Sequence, residues 1–261
     1  MEITLEDLRK MQLLQLSIFK EFDLICRKNG IKYTLCGGSL LGAIRHGGFI
    51  PWDDDIDVTM LRADYEKFSM LCKNELDNER FFFQTMETDE EYRLMYGKII
   101  LKGTSFVRTG YEKSKAKNGI FIDIFPRDNV SDNMIKRSLQ SILGFLMRKT
   151  LYSPIGKIKA ELNLFYRVVY SFLAVLPLSF PKKLMRWIIV LGGNKPTERV
   201  ACYGLMGNKE KKKKKKVKRV MRNILKNCAL KVNKKKWNVR IAKRVFIESF
   251  LKKYMMSNLK I

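Results

Sequence analysis

Asp55-Ile56-Asp57, standing downstream of Gly37-Gly38-Ser39, constrains this chain more than any other feature. On a strand, side chains alternate with period 2, so the two carboxylates of an Asp-x-Asp share one face. Side by side they repel, and the arrangement is costly unless a cation sits between them. Mg²⁺ suits such a pair, because it takes oxygen ligands and is commonly shared between carboxylates and substrate phosphates. A turn of small residues upstream lets backbone N–H groups approach a phosphate. Together these features predict metal-assisted chemistry on a phosphate-bearing substrate.

Periodicity arranges the rest of the chain around that strand. Thr4 and Asp7 form a helix start, and Leu8, Met11, Leu14, Ile18, Phe22 and Ile25 recur at helical spacing up to a stop at Gly30. Ile31 to Cys36 reads as a short buried strand. Ser39 to His46 reads as a helix opening after the Gly-Gly turn, so its first N–H groups face that turn as an anion site. Gly47 to Trp52 is a loop, Asp55 to Met60 a strand, and Arg62 to Cys72 an amphipathic helix. Phe81 to Thr85, Met95 to Leu101 and Thr104 to Arg108 read as strands, the last two as a hairpin around Lys102-Gly103. Gly119 to Pro126 is an apolar strand ended by Pro126. From Asp132 to Gly192 the pattern is helical, broken at Pro154, Pro177 and Pro181. Within it, Val168 to Phe180 falls short of the ~20 apolar residues of a bilayer span. It reads first as a core helix and second as an interfacial one, since Arg167, Lys182, Lys183 and Arg186 border it.

Charge separates a body from a tail. The 261 residues carry a net charge of +26, yet residues 209 to 261 alone hold 21 Lys and Arg against two acids. Such a tail favours anionic surfaces, lipid or nucleic acid, and says little about the chemistry of the body. Apolar content of 46% is enough for a folded core. Five cysteines in no metal-binding spacing are expected to be reduced thiols. Met1 to Asp7 lacks a basic n-region and an apolar h-region, so no signal peptide is expected.

Candidate site residues follow from alternation and burial cost. Asp55 and Asp57 are expected to ligate the metal, Asp53 joins them only if the strand extends backward, and Asp54 points away. Asp123 lies in an otherwise apolar strand, where a lone acid must be paired or metal-bound. It is either a third carboxylate of the site, as ligand or general base, or the partner of a basic neighbour. Lys98 could neutralise phosphate charge. Arg45 and His46 follow the short helix. His46 is the single histidine of the chain, which disfavours His-rich Zn sites and Ser-His triads.

The run Gly37-Gly38-Ser39, Leu41 to Phe49, then Ile50-Pro51-Trp52-Asp53-Asp54-Asp55-Ile56-Asp57 resembles the signature of the LicD family, bacterial phosphocholine transferases and fukutin-type sugar-modifying proteins. Lys98, Thr104-Ser105-Phe106 and Phe121 to Pro126 are similar to that family too. The resemblance implies an α/β, nucleotidyltransferase-like mixed sheet flanked by helices, with a helical C-terminal part. It implies a catalytic core at 1–130, a helical, membrane-associating region at 131–208, and an atypical Lys-rich tail at 209–261. It implies Mg²⁺-dependent transfer of a phospho-alcohol, phosphocholine first among them, from a CDP-activated donor to a hydroxyl of a lipopolysaccharide or teichoic acid glycan, releasing CMP. Asp55, Asp57 and Asp123 would be catalytic and metal-binding. Gly37, Gly38, Ser39, Arg45 and Lys98 would bind the donor. The expected partners are that donor, a lipid-linked glycan acceptor and a membrane surface, with no specific nucleic acid, and the expected place is the cytoplasm or the inner membrane face. The alternatives are a nucleotidyltransferase acting on RNA or a small molecule, and a non-catalytic basic binding protein. The six lysines from Lys211 to Lys216 open a tail unlike the family, read either as out of the ancestral frame or as a basic membrane-binding extension.

Overall fold

A computed structural model describes residues 4–107, 115–157, 163–197 and 199–204. The Lys-rich tail, Arg108 and Cys228 lie outside the described residues. The first element, α1 (Leu5–Lys28), starts as its sequence dictates: the Thr4 hydroxyl accepts from the Asp7 N–H at 3.1 Å. Glu6 and Asp7 sit in its first turn and Arg27 and Lys28 in its last, each complementing the helix dipole. Met11, Ile18, Phe22 and Ile25 are buried. Next come β1 (Tyr33–Leu35), α2 (Gly37–His46), β2 (Asp57–Leu61), α3 (Arg62–Glu75), β3 (Phe81–Gln84), β4 (Gly97–Leu101) and β5 (Phe121–Val130). The chain then forms α4 (Met134–Gly156), α5 (Leu164–Val175) and α6 (Ser179–Gly192) before β6 (Arg199–Ala201).

The sheet is mixed, as expected, in the order β1-β2-β5-β4-β3, with β6 on the far end of β5. β2 and β5 run parallel; all the other pairs are antiparallel. Register decides the two faces, because directly paired residues point to the same side. Leu35, Val58, Ile124, Ile122, Ile99 and Phe83 line one side and join Phe19, Phe22 and Phe68 of α1 and α3 in the main core. A second cluster joins Val130 to Met147 of α4 and Leu184 and Ile188 of α6. Asp57, Asp123 and Lys98 lie on the side opposite the main core.

Five details of the sequence reading change. Pro126 does not end its strand, since β5 runs on to Val130. The Asp123 N–H donates toward β2, to Ile56 O, so even-numbered residues face the other edge. On that edge β4 pairing stops at Ile124 and β6 pairing starts at Asp128, so Pro126 falls where no donor is needed. Thr104 to Val107 is not a strand, because β4 already has β3 and β5 on its two edges. Instead the Thr104 hydroxyl accepts from Ile120 N at 2.9 Å and donates to Leu101 O at 2.7 Å. Pro154 lies inside α4, where the Ser153 hydroxyl donates to Thr150 O, the acceptor that the proline leaves unbonded. Pro181 occupies the first turn of α6, where an N–H has no intrahelical partner; Pro177 alone separates two helices. Finally, the apolar stretch from Val168 is not a core helix: Tyr170 is the one buried residue of α5.

Candidate metal and phosphate site

Strand register builds the site. Gln84 pairs with Lys98, Lys98 with Asp123, and Asp123 with Asp57, giving one polar row across β3, β4, β5 and β2. Carboxylate oxygens of Asp55, Asp57 and Asp123 lie within 4.8 Å of one another, and a neighbouring group of Asp53, Asp54 and Asp55 shares Asp55. Asp123 is only 2% exposed and Lys98 8%. The Lys98 ammonium donates to Asp123 Oδ1 and stands 3.3 Å above the centre of the Phe121 ring. Asp123 is therefore salt-bridged to Lys98 and at the same time lies beside Asp55 and Asp57. Lys98 meets the site through Asp123 rather than as a surface cation. Three carboxylates gathered this closely form a set that a hard divalent cation would fit.

Backbone contacts lock the acidic segment. Asp57 sits in β2, while Asp55 lies in the extended residues just before it. Asp123 N donates to Ile56 O at 2.9 Å and Cys36 N to Asp57 O at 3.0 Å. Asp57 N donates to Ser39 Oγ at 2.8 Å, so Ser39 holds the strand that carries the acid. From α1, buried Gln12 donates to Asp53 O at 2.9 Å and Gln15 to Asp54 O at 2.7 Å. These amides fix the acidic loop through its carbonyls. Within a helical apolar pattern they carry no distinguishing signal except that two polar residues fall on the buried face.

Gly37 and Gly38 open α2 directly against the carboxylates. Gly37 has φ +56°, and a Cβ there would come within 2.8 Å of Asp57 Oδ2. A Cβ on Gly38 would collide with the Asp53 carboxylate. Gly37→Ala is expected to cost about 1–2 kcal/mol for the left-handed backbone and to push Asp57 out of the cluster. Thermal unfolding and calorimetric Mg²⁺ titration would read the two effects separately. Unchanged Mg²⁺ affinity in a destabilised Gly37→Ala protein would mean that the close approach is structural only.

Other candidates stand apart or were unforeseen. Arg45 is exposed at the end of α2 opposite Gly37. His46 packs edge-on to Trp52, 6.5 Å between ring centres. Tyr92 and Tyr96 are buried and pack edge-on to each other, 6.5 Å between ring centres, with the Lys98 ammonium 5.5 Å from the Tyr96 ring, while Trp52 is exposed. Arg127 went unnoticed; it lies on the Asp123 face of β5 and its Nε donates to Thr59 Oγ1 at 2.9 Å. Period 2 from Asp123 through Phe125 is the signal that could have found it. Burial, and next the Asp57 carboxylate, push the Cys36 thiol above its ordinary value, which keeps it a neutral thiol. Burial and then Asp54 raise the Asp53 carboxyl. Cys26, Cys36 and Cys72 are free thiols, as expected.

Comparison with known proteins converges on the same region. A family model described as LicD/FKTN/FKRP, nucleotidyltransferase domain, matches residues 30–161. The lipopolysaccharide cholinephosphotransferase LicD of Haemophilus influenzae is 42% identical over 124 residues, covering 47% of this chain and 45% of that protein. An uncharacterised Rickettsia typhi protein is 27% identical over 159 residues, covering 59% of this chain and 48% of that protein. Human ribitol 5-phosphate transferase FKRP is 37% identical over 71 residues, 26% of this chain and 14% of that protein. The chain thus covers less than half the length of each of these relatives.

Proposed function

The chain belongs to the LicD family, whose model matches residues 30–161, and from that premise we propose that it transfers a phospho-alcohol from a CDP-activated donor to a glycan hydroxyl. The observation that carries the proposal is the row Lys98–Asp123–Asp57 with Asp55 beside it, inside the matched region. Three carboxylates fit a hard, oxygen-seeking divalent cation and offer no soft ligand. Asp55, Asp57 and Asp123 would hold it, and bound Mg²⁺ would offset the charge that develops on the transferred phosphate.

The residues of the chain do the positioning. The acceptor hydroxyl oxygen attacks the phosphorus that bears the alcohol. An O–P bond forms, the bridging P–O bond breaks, and CMP leaves. The hydroxyl proton passes to a carboxylate, for which half-exposed Asp55 is better placed than Asp123, buried against Lys98. Arg127 on the same face, with the first N–H groups of α2 at Gly37 and Gly38, can face donor phosphate oxygens. In-line geometry and charge neutralisation then supply most of the acceleration.

The relatives' names, a cholinephosphotransferase and a ribitol 5-phosphate transferase, leave two alcohols open. Calorimetric titration of the full chain with CDP-choline, CDP-ribitol and CDP-glycerol, with and without Mg²⁺, distinguishes them. One donor is expected to bind only with Mg²⁺, and the Asp55→Ala/Asp57→Ala protein to bind none. A folded chain that binds no CDP-alcohol, or that instead incorporates nucleotides from ATP or CTP into RNA, overturns the proposal.

A further inference from the structure

Among the described residues, α5 is the one helix whose exposure contradicts its composition. A helix that is hydrophobic on nearly all sides belongs inside a protein or a bilayer. Yet of Leu164–Val175 only Tyr170 is buried. Phe165 is 70% exposed, Phe172 75% and Val175 83%. The same holds on its neighbours: Ile135, Ile142 and Phe145 of α4 and Trp187 and Val190 of α6 are also exposed. The surfaces are linked, because Lys149 of α4 lies 5.4 Å from the Phe145 ring and donates to the Tyr170 hydroxyl at 3.0 Å. Scattered exposed apolar residues are ordinary, but a concentration of this kind marks an interaction surface.

Charge selects the occupant. Residues 133 to 197 hold eleven Lys and Arg against one acid, Glu161. Residues 209 to 261 are themselves strongly cationic, so they would meet this surface with like charge. A second copy of the chain would bring two cationic surfaces together. An anionic bilayer matches both properties, with apolar side chains entering the acyl boundary and Lys and Arg meeting head groups. Crossing is a different matter. No single described helix is long and apolar enough to span, and α5 and α6, which pass that test only together, meet at 88°. A sharp bend of this kind lets both helices lie along an interface.

We propose that the α4–α6 region docks in the plane of an anionic membrane surface through α5 and the exposed faces of α4 and α6. The inference is independent of the transfer chemistry. Its test is co-sedimentation of the full chain with vesicles of phosphatidylcholine alone or mixed equally with phosphatidylglycerol. The basic tail would bind mixed vesicles by charge alone, so the deciding comparison is at about 1 M salt, where the Debye length falls to ~3 Å. The parent is expected to pellet there with mixed vesicles, and Phe165→Glu/Phe172→Glu to partition at least about ten-fold less. Both side chains are exposed, so folding should persist; circular dichroism checks it, and Val175→Glu/Val190→Glu serves as a second variant. Equal pelleting of parent and variants overturns the proposal in favour of the tail. Failure of the parent to pellet with either vesicle also overturns it, as does a concentration-dependent dimer that the variants abolish.

Discussion

Asp57→Asn is expected to lower CMP release from the CDP-alcohol by about a hundred- to a thousand-fold, the usual scale for removing one preorganised charge-stabilising group. It should do so without lowering thermal stability in metal-free buffer. Asp57 shares a region less than 4.8 Å across with the carboxylates of Asp55 and Asp123, and the Lys98 ammonium lies on Asp123. Neutralising Asp57 relieves like-charge repulsion, while its backbone bonds to Ser39 and Cys36 are untouched. Divalent cation reverses the ranking. A ligand that binds only the folded state stabilises it by RT ln(1 + [L]/Kd), about 2.7 kcal/mol at a hundred times Kd. Mg²⁺ should therefore raise the melting temperature of the parent and leave Asp57→Asn nearly unmoved. A variant that turns over normally would remove Asp57 from the chemistry. One that melts well below the parent without metal would make it a structural acid.

What the sequence made legible is what depends on local spacing. Period 2 placed Asp55 and Asp57 as candidates, the cost of burying a lone acid placed Asp123, and the helical repeat from Met11 to Ile25 placed α1. Register stayed hidden, because it is set by pairing between distant segments. The partner of Lys98 is 25 positions away across β4 and β5, and no local pattern announces it. The same blindness explains Thr104 to Arg108: a strand-like composition cannot reveal that both edges of β4 are already taken. Proline was over-read as punctuation. At Pro126 and Pro181 the missing donor falls where none is required, and at Pro154 the hydroxyl of Ser153 bonds the carbonyl left without its partner. For α5 the apolar pattern was read correctly as helix. Its exposure could not be, since burial depends on what the rest of the chain places against it.

Arg62→Met is expected to destabilise the fold by about 3–5 kcal/mol, a large share of the ~5–15 kcal/mol that holds a typical domain together. Arg62 Nε donates to Asp128 Oδ1 at 2.7 Å and Nη2 to Oδ2 at 2.9 Å, a two-pronged pair with Asp128 almost fully buried. Removing the guanidinium strands that carboxylate without its ion-pair partner. Removing both should cost far less, so Arg62→Met/Asp128→Leu is expected to recover most of the loss in urea unfolding. The pair also matters for the site. Arg62 opens α3 right after β2, and Asp128 lies beyond the Leu61↔Arg127 pair of the parallel β2–β5 ladder. Asp57↔Asp123 is the opposite end of the same ladder. A ladder clamped at one end and bonded along its length cannot slip at the other without breaking both. Arg62→Lys, which keeps the charge but not the fork, should thus weaken Mg²⁺ binding even where the protein remains folded. A loss below about 1 kcal/mol in Arg62→Met would class the pair with exposed salt bridges. Undiminished Mg²⁺ affinity in Arg62→Lys would show that the carboxylate cluster holds its register unaided.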